Sequence, residues 1–205
     1  MRKIAIVLLF FANVVHGQDT GTPISLTKYL KDAKRIMDTL KISVRETINM
    51  DGPLNVESYD SLGNVGALFH ADDTFLDRKK KKFYYKNPVI VFTHKTAERL
   101  FAKENDTSDA RILAECTLIH EICHYLQSTI KSEGYTNDLE KISIVEHIKQ
   151  PVEYEAYAVG GYYLIEKVEP EYLDFVMSRK DTITEKIKMI IMRSYRMQTG
   201  LFITL

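Results

Sequence analysis

The order of two hydrophobic periods along the chain is the feature that most constrains its fold. Between residues 54 and 93, apolar residues come in short runs separated by turn-forming pairs such as Asn87-Pro88, a pattern typical of β-strands. From residue 96 to about residue 197, apolar residues recur every three or four positions, as they do in amphipathic helices. Strands followed by helices predict an α+β fold, in which a small twisted N-terminal β-sheet precedes a helical C-terminal half.

The same patterns predict the bounds of the individual elements. Ser25 and Ser108 are suitable N-caps, and Pro151 suits the first turn of a helix. We predict helices over residues 25–40, 96–103, 108–131, 151–167, 170–179 and 183–197. We predict strands over residues 42–44, 54–59, 66–70, 83–86 and 89–93, and a charged turn over residues 77–82. The sequence shows no internal repeat and no second domain boundary, so residues 18–205 are predicted to form a single domain.

The first residues have the pattern of a secretory signal peptide. Arg2 and Lys3 precede an apolar run over residues 4–15, and small and polar residues follow it from His16. A run of about 12 residues is too short to cross a bilayer, which requires roughly 20. We predict a signal peptide over residues 1–17, cleaved after Gly17, and a secreted or periplasmic protein. An uncleaved anchor and a buried first strand are the alternatives.

The charge balance limits the classes of partner. Lys and Arg total 28 residues, as do Asp and Glu, so the formal net charge is zero. A neutral chain lacks the positive charge that attracts nucleic acids and anionic membranes, so we expect neither as a partner once the signal peptide is cleaved. The sequence does not indicate an oligomeric state.

The two cysteines are predicted to be reduced core residues. Cys116 and Cys123 are seven positions apart, which is roughly 10 Å along a helix, whereas a disulfide requires Cα atoms within about 7 Å. Cys116 as a metal ligand is the alternative, because it lies one turn before His120.

Residues 120–124 form the motif that carries chemistry. His120-Glu121-Ile122-Cys123-His124 is H-E-x-x-H, and on a helix positions i and i+4 share a face, so both imidazoles can reach one metal ion. Glu121 is then placed to take a proton from a metal-bound water. The two histidines are predicted to lie at the edge of one narrow apolar stripe, which faces the core. The stripe consists of Ile112, Cys116, Ile119, Cys123, Leu126 and Ile130.

A catalytic zinc ion usually has a third protein ligand, which we expect on a downstream element. The candidates are Glu133, Asp138, Glu140, Glu146, His147, Glu153 and Glu155. Glu153 and Glu155 open a predicted helix, and the small residues 156, 160 and 161 would let a second element approach it closely. The two carboxylates are about 200° apart on a helix, so one metal ion is expected to use only one of them. Complementing the helix dipole is an alternative role for either.

H-E-x-x-H followed by Glu153-x-x-Ala156 resembles the gluzincin branch of the zinc metallopeptidases, and small uncharacterised secreted bacterial H-E-x-x-H domains. The resemblance covers residues 108–163 and implies a zincin-like fold. It further implies one zinc ion held by His120, His124 and Glu153, with Glu121 as general base. The gluzincin pattern has Asp or Asn after the Ala, where this chain has Tyr157. Glu155 is therefore the alternative third ligand, or the carboxylate that supports a ligand.

The function that this resemblance implies is that of a secreted zinc-dependent metallopeptidase acting on peptides or proteins. Strand 89–93 would be the edge strand that zincins pair with an extended substrate. The candidate donors to the tetrahedral oxyanion are His147, Tyr154, Tyr157, Tyr162 and Tyr163. Two other functions remain open. One is a zincin-fold binding module with a structural or silent metal site, and the other is a zinc hydrolase of a non-peptide amide or ester.

Overall fold

The computed structural model describes residues 26–44, 47–49, 54–59, 67–70, 73–77, 82–86, 88–101, 108–127 and 151–203. Their elements confirm the α+β class. The helices are α1 (Leu26–Thr39), α2 (His94–Phe101), α3 (Asp109–Gln127), α4 (Pro151–Val168), α5 (Pro170–Ser178) and α6 (Ile183–Ile203). The strands are β1 (Thr47–Asn49), β2 (Asn55–Tyr59), β3 (Ala67–His70), β4 (Asp73–Asp77), β5 (Lys82–Lys86) and β6 (Val89–Thr93). The predicted signal peptide lies outside the described residues.

The described strands form two three-stranded sheets rather than the single sheet that the sequence predicted. One sheet has the order β1-β5-β4, and the other has the order β2-β6-β3. In the second sheet β6 pairs in parallel with β2 and antiparallel with β3. The prediction that residues 89–93 form an edge strand is therefore wrong, because both sides of β6 are occupied. The antiparallel strand β3 packs against α3.

Two local predictions in the N-terminal half are also corrected. Residues 42–44 are not a strand, because α1 ends in a compact turn: the amides of Lys41 and Ile42 donate to Asp38 and Met37, and Lys41 has a φ of 58°. These are the paired bonds of a Schellman motif, which buries the apolar residue that follows the turn. No strand was predicted over residues 73–77, which form β4 against β5, and the ends of the predicted charged turn, Asp77 and Lys82, are paired residues of these two strands.

Helix α3 is buried on most of its surface rather than along one narrow stripe. Its buried residues include the charged Arg111, Glu115 and Glu121, while Ile112, the first member of the predicted stripe, is half-buried. The cause is its position: α1, α2, α4 and the second sheet all pack against it. Both cysteines are buried and form no disulfide, as predicted. The end predicted at residue 131 lies outside the described residues.

Helix α4 lies between α3 and α6, and two glycines permit both contacts. A Cβ atom on Gly160 would lie 3.1 Å from the carbonyl oxygen of Cys116 and 3.4 Å from His120 Cβ. A Cβ atom on Gly161 would lie 2.6 Å from Ser194 Oγ on α6. The predicted close approach at these small residues is confirmed. Among the described residues, no helix is long and apolar enough to cross a membrane.

Candidate metal centre

Three donor side chains from α3 and α4 converge on one point. The Nε2 atoms of His120 and His124 are 3.1 Å apart. Glu153 Oε2 lies 3.4 Å from His120 Nε2, and Glu153 Oε1 lies 3.4 Å from His124 Nε2. The imidazoles are half-buried and the Glu153 carboxylate is buried. The structure thus brings together the three residues that the gluzincin resemblance selects.

These separations fit a metal ion. A tetrahedral zinc site with bonds of 2.0–2.1 Å has ligand atoms about 3.3–3.4 Å apart, close to the observed 3.1 and 3.4 Å. The unprotonated nitrogen of a neutral imidazole and an ionised carboxylate are both acceptors, so the convergence of such groups is favourable only when a cation or a proton lies between them. The His120, His124 and Glu153 cluster could therefore hold a metal ion.

The local sequence explains how the donors meet. His120 and His124 are one turn apart on α3, so their side chains project from the same face. Pro151 is the first residue of α4 and Glu153 the third, so this carboxylate stands in the first helical turn. The contact at Gly160 brings α4 onto α3 beside His120, and the Cys116 thiol donates a 3.2 Å hydrogen bond to the Gly160 carbonyl. Cys116 is not a member of the donor cluster.

Glu121 and Tyr157 are close enough to affect the cluster electrostatically. Glu121 is buried, with 6% of its surface exposed. Burial lowers the pKa of His124, but hydrogen bonding to Glu153 and the charges of Glu121 and Glu153 outweigh this effect and leave the pKa raised. Burial, followed by the charges of Glu153 and Glu121, raises the pKa of Tyr157 to about 12. The Tyr157 ring lies edge-on to the His120 ring, with 4.7 Å between centroids.

Glu155, the alternative third ligand, lies outside the cluster. Its Oε2 accepts a 2.7 Å hydrogen bond from Gln127 Nε2, and Gln127 Oε1 lies 3.1 Å from Nδ1 of His124. Glu155 is therefore connected to His124 through the Gln127 amide. This arrangement agrees with the second predicted role of Glu155, a carboxylate that supports a ligand. No role was predicted for Gln127, although its position three residues after His124 places both side chains on one helix face.

A second polar cluster on α3 was not predicted. The buried Glu115 carboxylate accepts hydrogen bonds of 2.7 Å from Tyr29 on α1 and 2.8 Å from Tyr163 on α4. Arg111 Nε lies 3.3 Å from the same carboxylate. The cluster connects the helices that carry the metal-site donors to α1. Charged residues are seldom buried, so a sequence pattern does not suggest this network.

The remaining candidates divide into two groups. Glu133, Asp138, Glu140, Glu146 and His147 lie outside the described residues. Among the proposed oxyanion donors, Tyr163 already donates to Glu115. The hydroxyl of Tyr154 is buried and has no hydrogen-bond partner among the described residues. The ring of Tyr157 contacts the ring of His120, one of the three residues that could bind the metal ion.

Comparisons with known proteins found no relative of this chain. No protein-family model matches the chain. Curated proteins give no significant match, and neither do solved structures. The gluzincin resemblance stays a prediction that depends on the residues of the site.

Proposed function

We propose that the protein is a secreted zinc-dependent metallopeptidase. The observation that carries the proposal is the convergence of His120, His124 and Glu153, with the buried Glu121 next to the first of them in the chain. These three side chains would hold one zinc ion. Two imidazoles with one carboxylate are a known ligand set of catalytic zinc, in which one coordination position stays open for water or substrate.

The protein's own residues have separable roles in peptide hydrolysis. A bound zinc ion supplies Lewis acidity, which polarises the substrate carbonyl and lowers the pKa of water. Glu121 accepts the proton of the attacking water and then delivers it to the nitrogen of the leaving amine. Its charge contributes to the raised pKa of His124, so the carboxylate is near the donor cluster, as a general base must be.

Tyr157 is our first choice for the donor to the tetrahedral oxyanion. Its ring contacts His120. A tyrosine hydroxyl, with an ordinary pKa of about 10, is protonated at neutral pH and can donate to an oxyanion. It follows Ala156, at the position where gluzincins have Asp or Asn. In this chain an aromatic ring, rather than a carboxylate, thus contacts the first histidine.

The strand suited to bind an extended substrate is β3 rather than β6. Within the described part of the chain, β3 pairs only with β6, and it packs against the helix that carries both histidines. The Phe69 ring contacts the Tyr125 ring with centroids 5.8 Å apart, which places β3 beside the residue that follows His124. A peptide pairing with the other side of β3 would belong to the sheet that packs against α3, the helix that carries both histidines.

The test of this function compares purified parent protein with Glu121→Gln on a peptide library, with and without a chelator. We expect chelator-sensitive cleavage by the parent. Glu121→Gln should retain zinc and lose at least about 100-fold in rate, the lower range for removal of a general base. Glu171→Gln, an exposed glutamate on α5, is the matched control and should cleave normally.

Other outcomes would favour the other functions. Zinc binding without cleavage of peptides, amides or esters would indicate a binding module. Cleavage of amide or ester substrates but of no peptide would indicate a non-peptide hydrolase. Unchanged peptide cleavage by Glu121→Gln would contradict the assigned mechanism.

A further inference from the structure

Gln127 links the second histidine to the helix that carries the carboxylate donor. It is the last residue of α3 and is buried, with 4% of its surface exposed. Its amide contacts three groups: His124 Nδ1 at 3.1 Å, the Val152 carbonyl at 3.1 Å and the Glu155 carboxylate at 2.7 Å. The last two groups belong to the first turns of α4.

The chemistry of these partners determines which end of the amide faces which group. A carbonyl oxygen and an ionised carboxylate can only accept hydrogen bonds, so both must be contacted by the Gln127 NH₂ group. The Gln127 oxygen then faces His124 Nδ1, and this nitrogen must carry the hydrogen. In the neutral imidazole the lone pair is therefore on Nε2. That atom is the one that lies 3.1 Å from His120 Nε2 and 3.4 Å from Glu153 Oε1.

The same contacts restrain the two helices at the metal centre. Val152 precedes Glu153, so the bond from Gln127 to the Val152 carbonyl holds α4 to α3 directly beside the carboxylate donor. The second restraint is the contact of Gly160 with Cys116, about two turns further along α4. Relative movement of the two donor helices is thus limited at both ends of the site.

We propose that Gln127 is a positioning residue of the metal centre, one that sets the tautomer of His124 and ties it, through Glu155 and Val152, to the helix turn that carries Glu153. The inference rests on the proposed zinc site and adds a residue to it. Groups that orient a histidine ligand through its second nitrogen typically contribute 10- to 100-fold in metal affinity.

The test measures zinc affinity by competition with a chromophoric chelator in three variants of the full chain. Gln127→Met keeps the side-chain length but removes the amide, and we expect zinc affinity to fall about 10- to 100-fold. The exchange Gln127→Glu with Glu155→Gln restores two of the three bonds, since a carboxylate at 127 accepts from His124 and from the new amide at 155. The bond to the Val152 carbonyl is not restored, because a carboxylate cannot donate to it, so this double variant should recover part of the lost affinity. Gln198→Met, a half-buried glutamine on α6, is the control and should bind zinc as the parent does.

The absorption spectrum of the Co²⁺-substituted protein is a second measurement. Its d–d bands depend on the ligands of the metal ion, so a loss of packing elsewhere would not change them. We expect the d–d bands to change in Gln127→Met and to return in the exchange variant, because they report ligand geometry. Folded Gln127→Met with parental affinity and spectrum would refute the role of Gln127. A folded exchange variant that binds zinc more than about 100-fold more weakly than the parent would also refute it, even where Gln127→Met fails to fold. A parent that binds no zinc would overturn the metal site itself, and with it this inference.

Discussion

The hydrogen bonds to the buried Glu115 carboxylate predict how much stability is lost when one of them is removed. Glu115 accepts hydrogen bonds from Tyr29 and Tyr163, and the third partner of the carboxylate is Arg111. Tyr29→Phe and Tyr163→Phe each remove one hydroxyl without changing the ring. Each substitution leaves the buried carboxylate, which is 8% exposed, with one bond fewer and little access to water that could replace it.

Hydrogen bonds to charged groups contribute about 1.5–3 kcal/mol each, so either variant should lose about that much free energy of unfolding. For a domain of this size, the loss corresponds to a decrease of about 3–12 °C in Tm. The loss of unfolding free energy in the double variant need not equal the sum of the two single losses, because both hydroxyls bind one carboxylate and their effects are coupled. Tyr195→Phe is the control, since Tyr195 is 48% exposed on α6 and its change should stay within about 0.5 kcal/mol.

The pH dependence gives the same prediction a second check. Burial raises the pKa of Glu115, but the bonds from Tyr29, Tyr163 and Arg111 outweigh burial and leave it lowered. A lowered pKa stabilises the fold above the unfolded value of about 4.3, and that contribution is lost as the pH falls through the folded-state pKa. The difference between parent and Tyr163→Phe should therefore be largest near pH 7 and shrink in acid. Urea unfolding with chelator present, from pH 3 to 7, measures it. A constant difference, or none, would refute the account of the network.

Two further predictions concern the helix contacts. Gly161→Ala should destabilise the protein by up to about 2 kcal/mol in urea unfolding, because the new Cβ would lie 2.6 Å from Ser194 Oγ. This overpacking costs about 1–3 kcal/mol, and the gain of roughly 1 kcal/mol for alanine over glycine inside a helix offsets part of it. Ser194→Ala removes that oxygen and should recover part of the loss in Gly161→Ala, whereas an equal effect of Ser194→Ala in the parent and in Gly161→Ala would contradict the tight contact. Cys116 and Cys123 should resist alkylation in the folded protein and react after denaturation, since burial raises the pKa of both thiols, that of Cys116 to about 12. Mass spectrometry measures the labelling, and rapid modification of the folded protein would show that they are accessible.

Local sequence signals were sufficient to predict the two histidine donors and the helical turn that carries the third donor. The i, i+4 spacing of His120 and His124 depends on helix geometry alone, and Pro151 marks the turn that carries Glu153. That Glu153 rather than Glu155 meets the histidines followed from the gluzincin resemblance, and the structure places it there.

Features that depend on distant partners could not be predicted in the same way. Strand order depends on pairing between segments far apart in sequence, so β6 was predicted at an edge although it is central. Glu115 has hydrogen-bond partners 86 and 48 positions away, and Gln127 contacts Glu155 28 positions away. Hydrophobic periodicity carries no information about such pairs, and polar residues on a helix are normally expected to face solvent.

The metal content of the purified protein tests the central claim most directly. The parent, dialysed against buffer with trace zinc and no chelator, should retain one zinc ion per chain by elemental analysis. His124→Ala should lose it, because one of the three converging donors is removed. Glu121→Gln should keep it, because Glu121 is assigned to proton transfer. A parent without zinc, or a His124→Ala variant that retains its full zinc content, would contradict the assignment of this site.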